Sequence, residues 1–203
     1  MTKSIDFYFD FGSPNAYLAW RVLPDSAKSI GIDINYHPAL LGGIFKATNN
    51  QPPMISYGGV KGKLDYQRVE MNRFLEKHDI RNFRFNPYFP VNTLLLMRGA
   101  VAAMKMDILD IYIDAGMRSM WEQGLNMSDP NVFTAQLKES GLDGSAIFES
   151  TQDMKIKAEL IQLTSECVAR GVFGLPSFFI GDEMFFGKDR IRDMLDFVQF
   201  SKT

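Results

Sequence analysis

The chain has 203 residues, 46% of them hydrophobic and 23% charged, with a formal net charge of −2, which is the balance of a globular protein with a sizeable core and excludes disorder. No apolar run approaches the roughly 20 residues that span a bilayer, and no Lys/Arg cluster offers a footprint for nucleic acid or an anionic membrane surface. The single cysteine, Cys167, excludes an internal disulfide or a Cys-X-X-Cys pair, and the two histidines, His37 and His78, stand in no metal-ligand spacing, so no metal is expected.

Met1-Thr2-Lys3-Ser4-Ile5-Asp6 runs directly into a strand without the segments of an export signal, so the cytoplasm is the expected location. Residues 5 to 11 alternate and are rich in aromatics, the pattern of a buried strand. From 15 to 30 the chain places Tyr17, Leu18, Val22, Leu23, Ala27 and Ile30 at helical spacing, with Gly31 as the natural stop. Residues 32 to 37 form a second short strand, and the strand, helix, strand unit implies parallel pairing. The stretch from Gly42 to Gly62 reads as a long loop, either a functional lid or a surface connector. Helical periodicity then predicts helices over 63–78, 93–105, 107–122, 130–140 and 153–170, with Ser128-Asp129-Pro130 as a start and Gly141 and Gly171 as stops. Residues 177–180 and 184–186, turning at Gly181-Asp182, predict a hairpin; a helix from Asp189 to Phe200 follows, and Ser201-Lys202-Thr203 is read as a tail.

Three places along this path carry chemistry. In Phe9-Asp10-Phe11-Gly12-Ser13-Pro14, a lone hydroxyl takes the N-cap of the first helix and the proline its first position. Free N–H groups and the positive dipole end stabilise an anion there, and the thiolate of a small external thiol is such an anion. A serine that only caps is the plainer alternative. In Gly174-Leu175-Pro176-Ser177, the Leu175–Pro176 bond is expected to be cis, with the Leu175 N–H and C=O unpaired and facing Ser13 for an extended, peptide-like ligand. A trans proline opening the strand is the competing reading. At Phe186-Gly187-Lys188-Asp189 a second helix start offers N–H groups of Gly187 and Lys188 to a carboxylate and Asp189 to an ammonium, unless Asp189 simply caps the helix.

Together, Phe-Asp-Phe-X-Ser-Pro-X-X-Tyr-Leu-Ala at 9–19, His37-Pro38-Ala39-Leu40-Leu41-Gly42-Gly43, Pro52-Pro53, and Gly-Val-Phe-Gly-Leu-Pro through Phe-Gly-Lys-Asp-Arg at 171–190 resemble the 2-hydroxychromene-2-carboxylate isomerases of the kappa-class glutathione transferase group. The resemblance implies an α/β protein: a thioredoxin-like fold with a large all-helical insertion, residues 1–40 and 171–203 forming the glutathione-binding domain and 41–170 the inserted loop and helices. It implies glutathione as cofactor, a small aromatic carboxylate as substrate, and a homodimer. By the same resemblance Ser13 holds and activates the thiol, Leu175 and Pro176 meet the cysteinyl backbone, and Phe186, Gly187, Lys188 and Asp189 receive the γ-glutamyl end. Lys46 and Asn50 stand near a ligand carboxylate, and Tyr88 and Trp121 wall the aromatic substrate. The implied activity interconverts 2-hydroxychromene-2-carboxylate and trans-o-hydroxybenzylidenepyruvate in naphthalene-type breakdown; a kappa-class transferase and a non-catalytic glutathione-binding module are the alternatives. Asn15-Ala16 and Leu175 depart from the commoner Tyr-Ser and valine, which touches the substrate pocket more than the thiol site. His37 is expected to end the second strand and Cys167 to be buried packing.

Overall fold

In the computed structural model of this protein, which describes residues 4–200, β1 (Ser4–Phe9) is an interior strand of a four-stranded sheet. The expected tail at 201–203 lies outside the described residues. Alternation along β1 explains its place: Ile5, Phe7 and Phe9 are fully buried on one face, while the other runs from partly exposed Ser4 and Asp6 to buried Tyr8. After the crossover helix α1 (Pro14–Ser29), β2 (Asp33–Pro38) pairs parallel with β1, Tyr36 opposite Phe7. On its other side β1 pairs antiparallel with β3 (Ser177–Ile180), Phe178 opposite Phe7, and β3 turns at Gly181 into β4 (Glu183–Phe186). The order β2-β1-β3-β4 is the expected thioredoxin-like sheet, closed by segments from the two ends of the chain.

The two faces of β1 feed two clusters. On the first, α1 buries Tyr17, Leu18, Leu23 and Ala27 and stops where Gly31 takes φ 64°, its N–H reaching the Lys28 carbonyl at 3.1 Å. Beside it lies α10 (Ile191–Phe200), burying Met194 and Val198 after a single 3₁₀ turn, Lys188–Arg190. On the second, Tyr8 and Phe179 meet Ile44 of α2 (Leu41–Thr48) and Cys167 of α9 (Met154–Ala169).

The stretch expected to be a loop over 42–62 instead holds α2 and α3 (Pro53–Tyr57). The start of α2 is fixed from far away: the Leu41 N–H is donated to Asp10 Oδ2 at 2.8 Å and the Leu40 N–H to Thr164 Oγ1 at 3.0 Å. A second unanticipated helix, α8 (Gly144–Ser150), is capped by Asp143, which accepts the Ala146 N–H. Its opening glycine reflects close packing, since a Cβ on Gly144 would lie 2.3 Å from the Thr134 carbonyl oxygen. The helices α4 (Lys63–Lys77), α5 (Leu94–Lys105), α6 (Leu109–Trp121), α7 (Pro130–Glu139) and α9 fall within a few residues of expectation. None of the described helices is long and apolar enough to cross a membrane.

The inserted helices share the core of the sheet. Phe11 packs edge-on against Tyr112 at 5.8 Å between ring centres, the Trp121 indole N–H donates to the Phe11 carbonyl at 2.8 Å, and the Tyr17 hydroxyl donates to Glu122 at 3.0 Å. These contacts fix the turn after β1 from below.

Candidate active site

That turn delivers Ser13. Its backbone is extended (φ −95°, ψ 112°), its Oγ accepts the Ala16 N–H at 3.2 Å, and Pro14 opens the helix, so the expected N-cap forms. The same hydroxyl donates to the Leu175 carbonyl at 3.0 Å, across the gap between the start of α1 and the loop before β3. Ser13 is only 4% exposed. The Leu175–Pro176 bond is cis, as the sequence suggested. The Leu175 carbonyl, expected to be free, is held by Ser13, while the Leu175 N–H has no acceptor among the described residues.

A second correction concerns Gly187. Its N–H was expected to face a ligand carboxylate, but it is donated to the Pro176 carbonyl at 2.9 Å, with Gly187 at φ 90°. This bond ties the start of the last helical segment to the cis-proline loop and leaves the N–H groups of Lys188 and Asp189 at the first turn. Asp189 does not cap that turn; its exposed carboxylate pairs with the Lys188 ammonium. The Lys188 side chain is itself buried, 6% exposed, with Nζ 4.7 Å above the Phe74 ring of α4. Phe186 is exposed and packs on Phe173 at 4.6 Å.

The α2 segment approaches the same loop. Asn50, just past its end, donates from Nδ2 to the Phe173 carbonyl at 2.8 Å, and Lys46 stands exposed on the helix. Tyr88 is exposed on the connection between α4 and α5. Trp121 is the third correction: it is fully buried among Phe83, Phe85 and Phe89, and its N–H is occupied by Phe11, so it supports the Ser13 turn from the core and lines no open wall.

The sequence reading gave no role to Asp10. This carboxylate is fully buried; Oδ1 accepts the Gly12 N–H and Oδ2 the Leu41 N–H, each at 2.8 Å, and Thr93 adds a side-chain hydrogen bond. Burial pushes the Asp10 carboxyl up, against the pull of those three donors. The available signal was a charged residue inside an aromatic strand sequence, where only a partnered carboxylate is tolerated.

The chain offers no thiolate of its own here. Cys167 is buried with its thiol on the Thr164 carbonyl at 3.2 Å, and burial pushes it up to about 12. His37 stacks on Tyr8 at 4.8 Å beside Asp6, on the far face of the sheet from α1. No group of His, Cys, Asp and Glu among the described residues is arranged to hold a metal. The arrangement that remains is a buried hydroxyl at a helix N-terminus opposite a peptide unit with an open N–H, a place for a peptide carrying an anion.

The profile of the DSBA-like thioredoxin domain matches residues 4–199. The 2-hydroxychromene-2-carboxylate isomerase of Sphingobium xenophagum is 31% identical over 199 residues, covering 98% of this chain and 97% of that protein. A solved structure of selenomethionyl 2-hydroxychromene-2-carboxylate isomerase superposes with a TM-score of 0.83 at 27% identity, over 96% of this chain and 94% of the other. Glutathione S-transferase kappa 1 of Homo sapiens is more distant, 21% identical over 213 residues, covering 94% of this chain and 88% of that protein.

Proposed function

We propose, for a chain that belongs to the DSBA-like thioredoxin family and to its 2-hydroxychromene-2-carboxylate isomerase group, that it is a glutathione-dependent isomerase interconverting 2-hydroxychromene-2-carboxylate and trans-o-hydroxybenzylidenepyruvate. The carrying observation is the Ser13 hydroxyl, set at the start of α1 and 3.0 Å from the Leu175 carbonyl.

The residues present fit the tripeptide. Among the described residues Leu175 has one open N–H and one carbonyl held only by a hydroxyl, the complement of an extended peptide backbone. When a ligand N–H takes the Leu175 carbonyl, the Ser13 hydroxyl is released to donate to an anionic sulfur instead. Ser13 and the N–H groups of the first turn then hold a thiol below its ordinary pKa, so that more nucleophile is present near neutrality. Glutathione, when bound, would supply a thiolate nucleophile for reversible addition to the conjugated double bond of the substrate, the chemistry that makes that carbon–carbon bond rotatable and leaves the thiol unconsumed. Lys188 and Asp189 receive its γ-glutamyl end, while Lys46 and Asn50 supply charge and amide hydrogen bonds to a carboxylate.

The test follows both substrate and thiol. Conversion that requires glutathione while total thiol stays constant supports the isomerase; loss of thiol with a mass-shifted adduct assigns a kappa-type transferase instead. Ser13→Ala removes a hydrogen bond to a charged group, worth about 1.5–3 kcal/mol, and is expected to slow turnover by roughly 10- to 100-fold at saturating glutathione. Wild-type rates in that variant, or no uptake of glutathione by calorimetry at millimolar concentration, would remove the basis of the assignment.

A further inference from the structure

Among the described residues no cation stands beside Asp10, yet its carboxylate is completely buried, an arrangement that costs stability unless each oxygen is well satisfied. The groups that satisfy it come from three separate elements that meet at the site. Oδ1 takes the Gly12 N–H of the Ser13 turn, Oδ2 takes the Leu41 N–H that opens α2, and Thr93 precedes α5. The backbone carbonyl of Asp10 also accepts the Ser13 N–H at 3.1 Å. Thr93 lies so close over Gly12 that a Cβ there would sit 3.1 Å from Thr93 Cγ2, so the turn is gripped from both sides. On α2 and just beyond it stand Lys46 and Asn50, and Asn50 bonds to the same 171–176 segment that presents Leu175.

We propose that Asp10 is a positioning residue, whose carboxylate locks the first turn of α2 to the Ser13 turn so that Lys46, Asn50 and Ser13 are presented together to one bound ligand. The inference rests on the glutathione reading only for the identity of that ligand. A carboxylate is required because two N–H donors must be met at once; an asparagine has one acceptor oxygen and must turn its NH₂ toward one of them.

Two readouts test it. In the free protein, Asp10→Asn is expected to speed amide hydrogen exchange over residues 44–48 of α2 by about tenfold or more while β1 and β3 keep their protection. Should that variant fail to fold, Leu41→Pro asks the same question. It deletes the single N–H that meets Oδ2, at a first helical position that suits proline, after a residue whose backbone is already extended. Unchanged exchange in α2, or equal acceleration everywhere, overturns the clamp. In a double-variant cycle on glutathione affinity, Asp10→Asn and Lys46→Met are each expected to weaken binding several-fold, and together by less than the product of the two. A full product, or no effect of Asp10→Asn on affinity, overturns the link to the ligand. Lack of glutathione uptake by the unaltered protein would instead strike the proposed function, leaving the exchange comparison to decide the clamp.

Discussion

Trp121 separates support from contact at the scale of one residue. The sequence places a large aromatic in the insertion, and the resemblance makes it a substrate wall; the fold instead closes three phenylalanines around it and engages its N–H with the Phe11 carbonyl, two residues before Ser13. Trp121→Phe leaves a buried carbonyl without its donor, at a cost of about 1–3 kcal/mol. For a chain of this size that corresponds to a fall in Tm of roughly 2–4 °C per kcal/mol, and the KM for the aromatic substrate is expected to stay within about twofold. A tenfold rise in KM at unchanged Tm would return Trp121 to the pocket. Ser13 and the Leu175–Pro176 pair were legible because caps and proline positions are local rules, written within a few residues of the chain. The buried side chain of Lys188 was not legible, since its cover is the Phe74 ring on a distant helix. Asp10 was visible as a misplaced charge, but its partners Leu41 and Thr93 are set by the fold alone.

Among the helices, glycines have opposite meanings that sequence cannot separate. Gly42 in α2 has nothing within 4 Å of where a Cβ would sit, whereas a Cβ on Gly116 of α6 would lie 2.5 Å from Phe11 Cε1. Alanine is the better helix former by about 1 kcal/mol in both places, but at Gly116 it must displace the ring beneath the Ser13 turn, an overpacking that costs about 1–3 kcal/mol. Gly116→Ala is therefore expected to lower the urea midpoint and to weaken glutathione binding, while Gly42→Ala leaves the midpoint unchanged or raises it. The reverse order would mean that α6 can move away from Phe11 freely. The same ambiguity explains why α2 and α8 were not foreseen. Gly42-Gly43 falls in the expected loop and Gly144 just past the expected stop at Gly141, and the stabilising cap of α2 is a carboxylate about thirty residues earlier in the chain, outside any window of local periodicity. Helices with continuous apolar stripes, such as α5 and α6, carried their own signal.

For the molecule as a whole, one apolar cluster runs through the sheet, α1 and α10 and on into the helices between β2 and β3. The exit of the insertion is fastened as well. Arg170, after α9, donates from Nη1 to Asp6 at 2.9 Å and to the Tyr8 hydroxyl at 2.7 Å, and from Nη2 to the Gly181 carbonyl at 2.9 Å, with its guanidinium 3.9 Å above the Phe179 ring. Burial raises the Asp6 carboxyl, but hydrogen bonds from Arg170 and Asn35 and the nearby His37 outweigh it and hold the group below its ordinary value of 3.8. The folded chain therefore keeps this carboxylate charged at a pH where the unfolded chain takes up a proton. Its contribution is complete above the unfolded value and is lost as pH falls through the lower folded one. Because the fastening joins parts that already share a core, unfolding is expected as one transition, with Trp20 fluorescence in the Trp121→Phe protein coinciding with the helical circular dichroism dominated by the insertion. In urea titrations, Arg170→Met starts from a lower midpoint at neutral pH, and its gap to the parent is expected to narrow below about pH 4 as Asp6 protonates in both. Separate transitions for the two probes would make the insertion an independent unit, and a gap that stays constant into acid would show that Arg170 acts through its rings and carbonyl rather than through Asp6.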